Sequence, residues 1–237
     1  MKTLIGIPTL NEKLNVHIIY NKIRKYDKKS DILFFDDNSK DGTIEEIKKI
    51  IVKDDKVFLK KRLNKQGIGS AHKEIIKYSF KKKYYILITM DADGSHDPKY
   101  MSKMMKKMEF SDVVITNRFY YSGSIKSWTL IRKVITYTRH FLINFLLSIN
   151  FDTSGAYRVY NLSKIKLIDL LKAKHNGYSF FWESLFILIK KKYKVSEIPI
   201  RMQKRTYGSS KINFYEIISA IVYLFFIFFK KVFSLKI

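Results

Sequence analysis

The chain contains no cysteine among its 237 residues. Without thiols it can form no disulfide framework, no thiolate metal site and no cysteine nucleophile. Its first eight residues, MKTLIGIP, are too short an apolar run for a secretory signal and instead predict a first strand. Both observations favour an intracellular protein.

The chain also lacks an apolar run long enough for a confident membrane span. The best candidate, residues 217–229, is uncharged and lies between Glu216 and the pair Lys230-Lys231. As a helix it would extend about 20 Å, against a hydrocarbon core of about 30 Å. We therefore expect a domain of residues 1–211, followed by a C-terminal apolar helix in residues 212–237 that associates with the membrane interface, alone or as a hairpin with residues 131–150.

Acidic residues are scarce, with 21 Asp and Glu against 46 Lys and Arg and a formal net charge of +25. Such an excess attracts polyanions, which include nucleic acids, nucleotide-sugars and anionic membrane surfaces. The lysines are spread along the whole chain, so charge alone does not choose among these partners. Many of these lysines are typical of an ordinary solvent-exposed surface.

What the chain does contain is a regular alternation of short apolar segments with helical patterns. The pattern predicts strands at residues 3–7, 31–35, 57–59, 84–90, 112–116 and 195–200, with helices between most of them. This spacing predicts an α/β fold with a doubly wound, mostly parallel sheet.

Two carboxylates, Asp91 and Asp93, follow the fourth predicted strand. Ligands of α/β domains bind beyond the carboxyl ends of the strands. Two aspartates placed there raise each other's pKa unless a cation lies between them. Mg²⁺ or Mn²⁺ takes hard oxygen ligands and leaves positions for substrate phosphate oxygens. The alternative is helix capping, which Asp97 is expected to perform before Pro98; for Asp91 and Asp93 alone both roles stay open.

Polar residues and glycines also follow the second and third predicted strands. Asp37 is a candidate for hydrogen bonds to a base or ribose, whereas residues 41–43 are typical of a turn before a helix. Gly67 and Gly69 precede a further helix and would allow a phosphate to approach its N-terminus. This glycine pattern is a weak signal by itself.

Residues 131–150 form an amphipathic segment. Arg132, Lys133, Arg139 and His140 lie in its first part, and mostly apolar residues follow. This pattern suits a helix that lies in a membrane interface, with its basic end near the candidate site. A core helix of the α/β domain is the alternative.

Taken together, the motifs resemble those of a known family. The segments IPTLNE (7–12), FDDNSKDGT (35–43), NKQGIGSA (64–71) and MDADG (90–94) occur in the order typical of family 2 glycosyltransferases with the GT-A fold. The later segments TNRF (116–119), RK (132–133), TSGAYR (153–158) and RTYGSSK (205–211) are similar to the polyprenol-phosphate (dolichol-phosphate) mannosyltransferase branch. The resemblance covers about residues 3–211.

The resemblance implies roles for individual residues. The donor-binding motifs match Pro8, Leu10, Glu12, Phe35, Asp37 and Ala92. The metal and the donor diphosphate would be held by Asp91, Asp93 and Ser95. The residues that would bind the diphosphate and the acceptor phosphate are Arg118, Arg132, Arg205 and Lys211. The catalytic residues would be Asp91, Asp93, Arg118 and Arg132. The chain departs from the pattern at Leu10, where many relatives have Tyr, and at Ser95, where Gln is common.

From this resemblance we expect a metal-dependent, inverting transfer of a hexose, mannose from GDP-mannose, onto a polyprenyl (dolichyl) monophosphate at the cytoplasmic face of the membrane. Such an acceptor is already an anion and needs no general base, unlike a neutral hydroxyl. Relatives that act on hydroxyls often carry a Glu-Asp pair and a Gln-x-x-Arg-Trp motif, and neither string occurs in this chain.

Three rival functions arise at the level of sequence. One, a catalytically inactive membrane scaffold, is disfavoured by the intact Asp91 and Asp93. A polyprenyl-phosphate glucosyl- or N-acetylhexosaminyl-transferase that uses a UDP-sugar is the alternative within the family, because no residue pattern separates guanine from uracil recognition. A basic nucleic-acid-binding protein is the rival outside it. That rival leaves Asp91 and Asp93 unexplained, since carboxylates repel a phosphate backbone, and we expect no nucleic-acid partner.

Overall fold

The computed structural model describes residues 1–126, 128–208 and 214–233. The strands are β1 (Thr3–Thr9), β2 (Asp31–Asp36), β3 (Val57–Lys61), β4 (Ile86–Thr89), β5 (Val113–Asn117), β6 (Arg158–Asn161) and β7 (Val195–Pro199). The helices are α1 (Val16–Tyr26), α2 (Thr43–Ile51), α3 (Ile68–Lys81), α4 (Met101–Lys107), α5 (Leu130–Leu147), α6 (Leu167–Leu171), α7 (Ser179–Lys190) and α8 (Phe214–Val232).

One sheet contains these strands in the order β3-β2-β1-β4-β6-β5-β7. Strand β6 runs antiparallel to both of its neighbours, and the other adjacent pairs are parallel. The prediction of an α/β fold with a mostly parallel sheet is therefore confirmed. Strand β6 is absent from the predicted strands, because its residues RVYN form no continuous apolar run.

The strands β1, β2 and β4 are almost wholly buried because they are mostly apolar and helices cover both faces of the sheet. Alternate side chains of β1 enter opposite layers. Ile5 and Ile7 pack in the layer that contains residues of α1, α2 and α4, whereas Leu4 packs with residues of α3 and α7. This arrangement explains why the parallel strands appear as continuous apolar runs in the sequence.

A third apolar cluster joins α5, α7 and α8. Trp182 of α7 packs there with Ile143 of α5 and Leu224 of α8. The Lys231 ammonium donates to the Ser148 hydroxyl at 2.7 Å, which ties the end of α8 to the end of α5. Of the two arrangements expected for the C-terminal segment, alone or paired with residues 131–150, the structure shows packing of α8 on α5. Association of this pair with the membrane stays a prediction. The predicted domain boundary after residue 211 lies outside the described residues and stays a prediction.

The outer sides of α5 and α8 remain apolar and exposed. The large exposed side chains include Leu130, Ile131, Val134, Phe141 and Phe145 on α5 and Ile218, Val222, Phe225, Phe226 and Phe229 on α8. Helix α5 is thus buried along one side only, through Thr136, Ile143 and Leu147. Among the described helices, none is both long enough and apolar enough to cross a bilayer.

Candidate active site

A cavity of about 490 Å³ lies at the carboxyl ends of β1, β2 and β4. The antiparallel direction of β6 contributes to it, because Arg158 at the start of β6 pairs with Thr89 at the end of β4. The three residues Ser154, Gly155 and Ala156 are thereby brought to the same edge of the sheet and line the cavity. The edge predicted to bind ligands is therefore the one that holds the cavity.

Most residues that the sequence predicted for the site line this cavity. They are Pro8, Leu10, Glu12, Asp37, Asp91, Ala92, Asp93, Ser95, Arg118, Arg132 and Arg205. Phe35 is not among them, because its side chain is buried in the apolar layer beside α3 and its ring is covered by the Arg62 guanidinium. Lys211 lies outside the described residues.

The two aspartates after β4 have different surroundings. Asp93 accepts the backbone N–H of Ser95 at 2.9 Å and forms a 2.8 Å ion pair with Arg205. Burial acts to raise the pKa of Asp93, but the Ser95 hydrogen bonds and the Arg205 charge lower it overall. Burial raises the pKa of Asp91, and the charge of Asp93 acts in the same direction. The helix cap is formed by Asp97, whose carboxylate accepts the backbone N–H of Lys99 at 3.0 Å.

The donor set at this position fits a hard divalent cation. Asp91, Asp93 and Ser95 present carboxylate and hydroxyl oxygens to one cavity. Mg²⁺ is commonly held by one or two carboxylates together with substrate phosphates and water. The described residues contain no group of three or more acidic or histidine side chains that could hold a metal, so further ligands would come from the substrate and water. A cation would also relieve the repulsion that raises the pKa of Asp91.

His96 lies behind Asp91 and was not predicted as a site residue. Its side chain is buried against the Tyr157 ring, and its Nδ1 accepts the backbone N–H of Asp91 at 3.0 Å. A ring nitrogen that accepts a hydrogen bond carries no proton. The 3.7 Å approach of Nδ1 to the Asp91 carboxylate is therefore not an ion pair. His96 fixes the backbone of Asp91, a role that no sequence spacing would reveal.

Asp37 organises the loop that precedes α3. Its carboxylate forms an ion pair with Arg62 at 2.8 Å and accepts the backbone N–H groups of Gln66 and Gly67 at 3.0 and 3.1 Å. Its neighbour Asp36 is fully buried and does not line the cavity. Of the two adjacent aspartates, Asp37 is thus the one placed to meet a ligand.

The glycines of this loop allow it to pack closely against the segment around Asn176 and Phe180. A Cβ atom on Gly67 would lie 2.6 Å from the Asn176 carbonyl oxygen, and one on Gly69 would lie 2.5 Å from Cβ of Phe180. Gly67 also has a φ of +94°, which disfavours other residues. The glycines therefore hold the N-terminus of α3 against the segment that leads into α7. Close approach of a phosphate to this N-terminus stays a prediction.

Three arginines line another part of the cavity. Nε of Arg118 donates to Asp152 at 2.8 Å, and the Arg132 guanidinium stacks over the Trp128 ring at 3.8 Å. Arg139 was predicted only as part of the amphipathic segment, yet its side chain reaches the cavity and donates to the Ser154 hydroxyl at 3.1 Å. Arg132 and Arg139 are carried by α5, one of the apolar helices.

A large part of the cavity wall is apolar. It is formed by Trp128, Ile131, Ile135, Leu142, Ile143, Trp182, Ile217, Ala220, Ile221 and Leu224, which come from α5, α7, α8 and the segment before α5. Tyr178 lies in the wall as well, and burial together with the nearby Asp91 charge raises its pKa to about 12. One cavity therefore combines carboxylates, guanidinium groups and an apolar wall.

Comparisons with known proteins agree with this architecture. The family described as glycosyl transferase family 2 matches residues 4–166 of the chain. A polyprenol monophosphomannose synthase of Mycolicibacterium smegmatis is 31% identical over 215 residues, which cover 90% of this chain and 81% of the relative. An undecaprenyl-phosphate mannosyltransferase of Micrococcus luteus is 29% identical over 214 residues, which cover 90% of this chain and 88% of the relative.

Solved structures show the same fold at low sequence identity. A glucosyl-3-phosphoglycerate synthase from Mycobacterium tuberculosis, crystallised with Mn²⁺, uridine diphosphate and glucosyl-3-phosphoglycerate, has a TM-score of 0.64 at 13% identity, over 94% of this chain and 79% of that chain. Residues 1–349 of S. aureus TarS have a TM-score of 0.55 at 18% identity, over 94% of this chain and 65% of that chain. With the family match and the relatives above, these findings show that the chain belongs to glycosyl transferase family 2 and is a glycosyltransferase with the GT-A fold.

Proposed function

We propose that the chain transfers mannose from GDP-mannose onto a polyprenyl monophosphate. The observation that carries this proposal is one cavity in which Asp91 and Asp93, four arginines and the apolar walls of α5 and α8 meet. A nucleotide-sugar needs the carboxylates and a metal, whereas a polyprenyl phosphate needs both cations and an apolar wall. The names of the two mannosyltransferase relatives support mannose as the transferred sugar and a polyprenyl phosphate as the acceptor.

The donor would occupy the end of the cavity formed by β1, β2 and β4. Pro8, Leu10, Glu12, Asp37 and Ala92 line this end and would contact the nucleoside. Asp91, Asp93 and Ser95 would hold Mg²⁺ or Mn²⁺, which supplies positive charge to the departing diphosphate. Arg205 is paired with Asp93 at 2.8 Å, so its guanidinium lies where it can bind the same diphosphate. Phe35 has no place in this donor site, since it does not line the cavity.

The acceptor phosphate would lie beside Arg118 and Arg132. One of its oxygens attacks the anomeric carbon as the bond from that carbon to the nucleoside diphosphate breaks, and attack from the opposite face inverts the configuration. No proton has to be removed, because the phosphate is already ionised. The arginines position the nucleophile and stabilise the charge around the reaction centre, which is the main contribution the protein makes to such a step.

The apolar faces of α5 and α8 would rest on the membrane that contains the acceptor. The side chains of Phe141, Phe145, Phe226 and Phe229 are each about half exposed or more, and aromatic and aliphatic side chains of this kind gain free energy in the headgroup and acyl boundary. Lys230 at the end of α8 would meet anionic headgroups. We place this surface at the cytoplasmic face of the membrane, where the nucleotide-sugar donor is available.

The test is an assay of lipid-linked product. The purified protein is incubated with labelled GDP-mannose, UDP-glucose or UDP-N-acetylglucosamine, a short-chain polyprenyl phosphate and Mg²⁺ or Mn²⁺, and the lipid is extracted and identified by mass spectrometry. We expect mannosyl-phosphoryl-polyprenol from GDP-mannose. A product only from a UDP-sugar would establish the related polyprenyl-phosphate transferase instead, and label in no lipid with any donor would refute a polyprenyl phosphate acceptor.

A further inference from the structure

Among Arg118, Arg132 and Arg139, the arginines beside the apolar wall, Arg118 alone forms an ion pair with a carboxylate of the described residues. Asp152 is buried and accepts hydrogen bonds from the backbone N–H and Nε of Arg118 at 3.1 and 2.8 Å. In the described part of the chain, neither Arg132 nor Arg139 has a carboxylate within ion-pair distance. Three guanidinium groups therefore face the cavity with a single neutralising charge among them.

Arg139 is the least satisfied of the three. Its Nη2 donates to the Ser154 hydroxyl at 3.1 Å, and that hydroxyl in turn lies 3.4 Å from the Asp152 carboxylate. Its Nε is shielded from solvent and has no hydrogen-bond partner in the described structure. Burial and the neighbouring Arg118 charge lower the pKa of Arg139 to about 10, so the group stays charged at neutral pH. A partly buried cation whose shielded Nε has no partner is costly unless a ligand compensates it.

We propose that Arg139 binds the acceptor phosphate directly, as a third guanidinium beside Arg118 and Arg132. This inference rests on the proposed function, because it assigns a residue to the acceptor of that reaction. A phosphate monoester carries about −1.5 to −2 charges at neutral pH and three acceptor oxygens. The three arginines with Asp152 carry a positive excess of matching size, and each guanidinium can offer a fork of two N–H groups to the oxygens.

The position of Arg139 also supports contact with the phosphate end of a lipid. Helix α5 carries Arg132 and Arg139 two turns apart, and Ile135 and Thr136 between them line the same cavity. The apolar residues Leu142 and Ile143 follow directly and line the cavity as well. A phosphate held by the two arginines would thus have the first isoprene units beside the apolar part of the same helix.

The chain supplies its own probe for a binding test. Its two tryptophans, Trp128 and Trp182, both line the cavity, so intrinsic fluorescence reports occupancy of the cavity without any turnover. The ligands are a short-chain polyprenyl phosphate and the corresponding neutral alcohol. Each is titrated into wild-type protein, Arg139→Gln, Arg139→Lys and Lys103→Gln. Lys103 is exposed on α4 and controls for the loss of one positive charge.

We expect Arg139→Gln to weaken binding of the polyprenyl phosphate about tenfold or more, because it removes charged hydrogen bonds. Binding of the alcohol should not change, Arg139→Lys should fall between wild type and Arg139→Gln, and Lys103→Gln should equal wild type. Equal affinity of wild type and Arg139→Gln for the polyprenyl phosphate would overturn the assignment. Equal weakening of phosphate binding and alcohol binding in Arg139→Gln would also overturn it, because that result indicates a role in packing. If Arg139→Gln does not fold by circular dichroism, the phosphate-selective loss in Arg139→Lys decides. Failure of wild-type protein to bind the phosphate lipid would instead count against the proposed function.

Discussion

The Tyr223 hydroxyl donates a 2.7 Å hydrogen bond to Oε1 of Glu183, a carboxylate buried on α7. The same carboxylate accepts the backbone N–H groups of Lys174 and His175 at 2.8 and 3.0 Å. The next residue, Asn176, accepts the backbone N–H of Ser70 at the start of α3. Glu183 therefore connects the C-terminal helix to the loop beside the proposed donor site.

Removal of this hydrogen bond should loosen α8. Tyr223→Phe leaves a buried carboxylate with one partner fewer, and we expect a loss of roughly 1–3 kcal/mol in the free energy of unfolding. Urea unfolding measures it, with Tyr215→Phe as the control because Tyr215 is exposed on the same helix. If both variants unfold at the same urea concentration as wild type, the hydrogen bond contributes nothing to stability.

The two aspartates after β4 should be required for turnover and not for folding. We expect Asp91→Asn and Asp93→Asn each to lower kcat by at least about 100-fold, because the departing diphosphate loses electrostatic stabilisation. A chelator should abolish the activity of wild-type protein, and Mg²⁺ or Mn²⁺ should restore it. Asp55→Asn is the control, since Asp55 is exposed in a turn outside the cavity. Near-normal activity of either variant would remove that residue from the proposed metal site.

The apolar face of α5 should determine attachment to vesicles. Phe145 is 71% exposed on α5, and Phe110 is 76% exposed near the end of α4. Burial of one such side chain is worth about 1.5–3 kcal/mol, so Phe145→Asp should weaken co-sedimentation with anionic liposomes about tenfold or more. Phe110→Asp should leave it unchanged. Equal loss in the two variants, or no loss in either, would contradict a membrane face on α5.

Acid should weaken the fold through Asp152. Burial acts to raise the pKa of Asp152, but the Arg118 charge and its hydrogen bonds hold it below its usual value. The stability that this ionised carboxylate contributes is therefore present above about pH 4 and is lost as pH falls through the lower folded pKa. In urea unfolding from neutral pH downward, Asp152→Asn should be less stable at neutral pH and should approach wild type in acid. A constant difference across the whole range would show that ionisation of Asp152 does not matter.

The sequence predicted the elements whose signals are local. Continuous apolar runs gave β1, β2, β4 and β5 within a few residues, and the Asp97-Pro98 pair marked a helix start that the structure bears out. Strand β6 escaped prediction because its residues RVYN form no apolar run and its antiparallel pairing with β4 depends on contacts across 69 positions or more. Local periodicity contains no information on such a contact.

The candidate site was predictable where its residues follow strands and not where tertiary contacts place them. Asp91 and Asp93 follow β4 directly, so topology alone brings them to the ligand-binding edge. Arg139 and Tyr178 reach the cavity only through the packing of α5 and α7 on the sheet. His96 lies in the loop after β4, and its role depends on the contacts of its ring with Asp91 and Tyr157. The apolar segment of α8 was expected to face the membrane, but one side of it covers Trp182 and lines the cavity, a division that composition cannot reveal.

The most direct test of the proposed function compares two acceptors that differ only in the phosphate. Wild-type protein is supplied with labelled GDP-mannose, a divalent metal, and either a short-chain polyprenyl phosphate or the alcohol of the same chain length. Because the arginines require an anion and the mechanism provides no base for a hydroxyl, we predict labelled lipid with the phosphate and none with the alcohol. Equal product from both acceptors, or no product from the phosphate, would contradict transfer to a polyprenyl monophosphate.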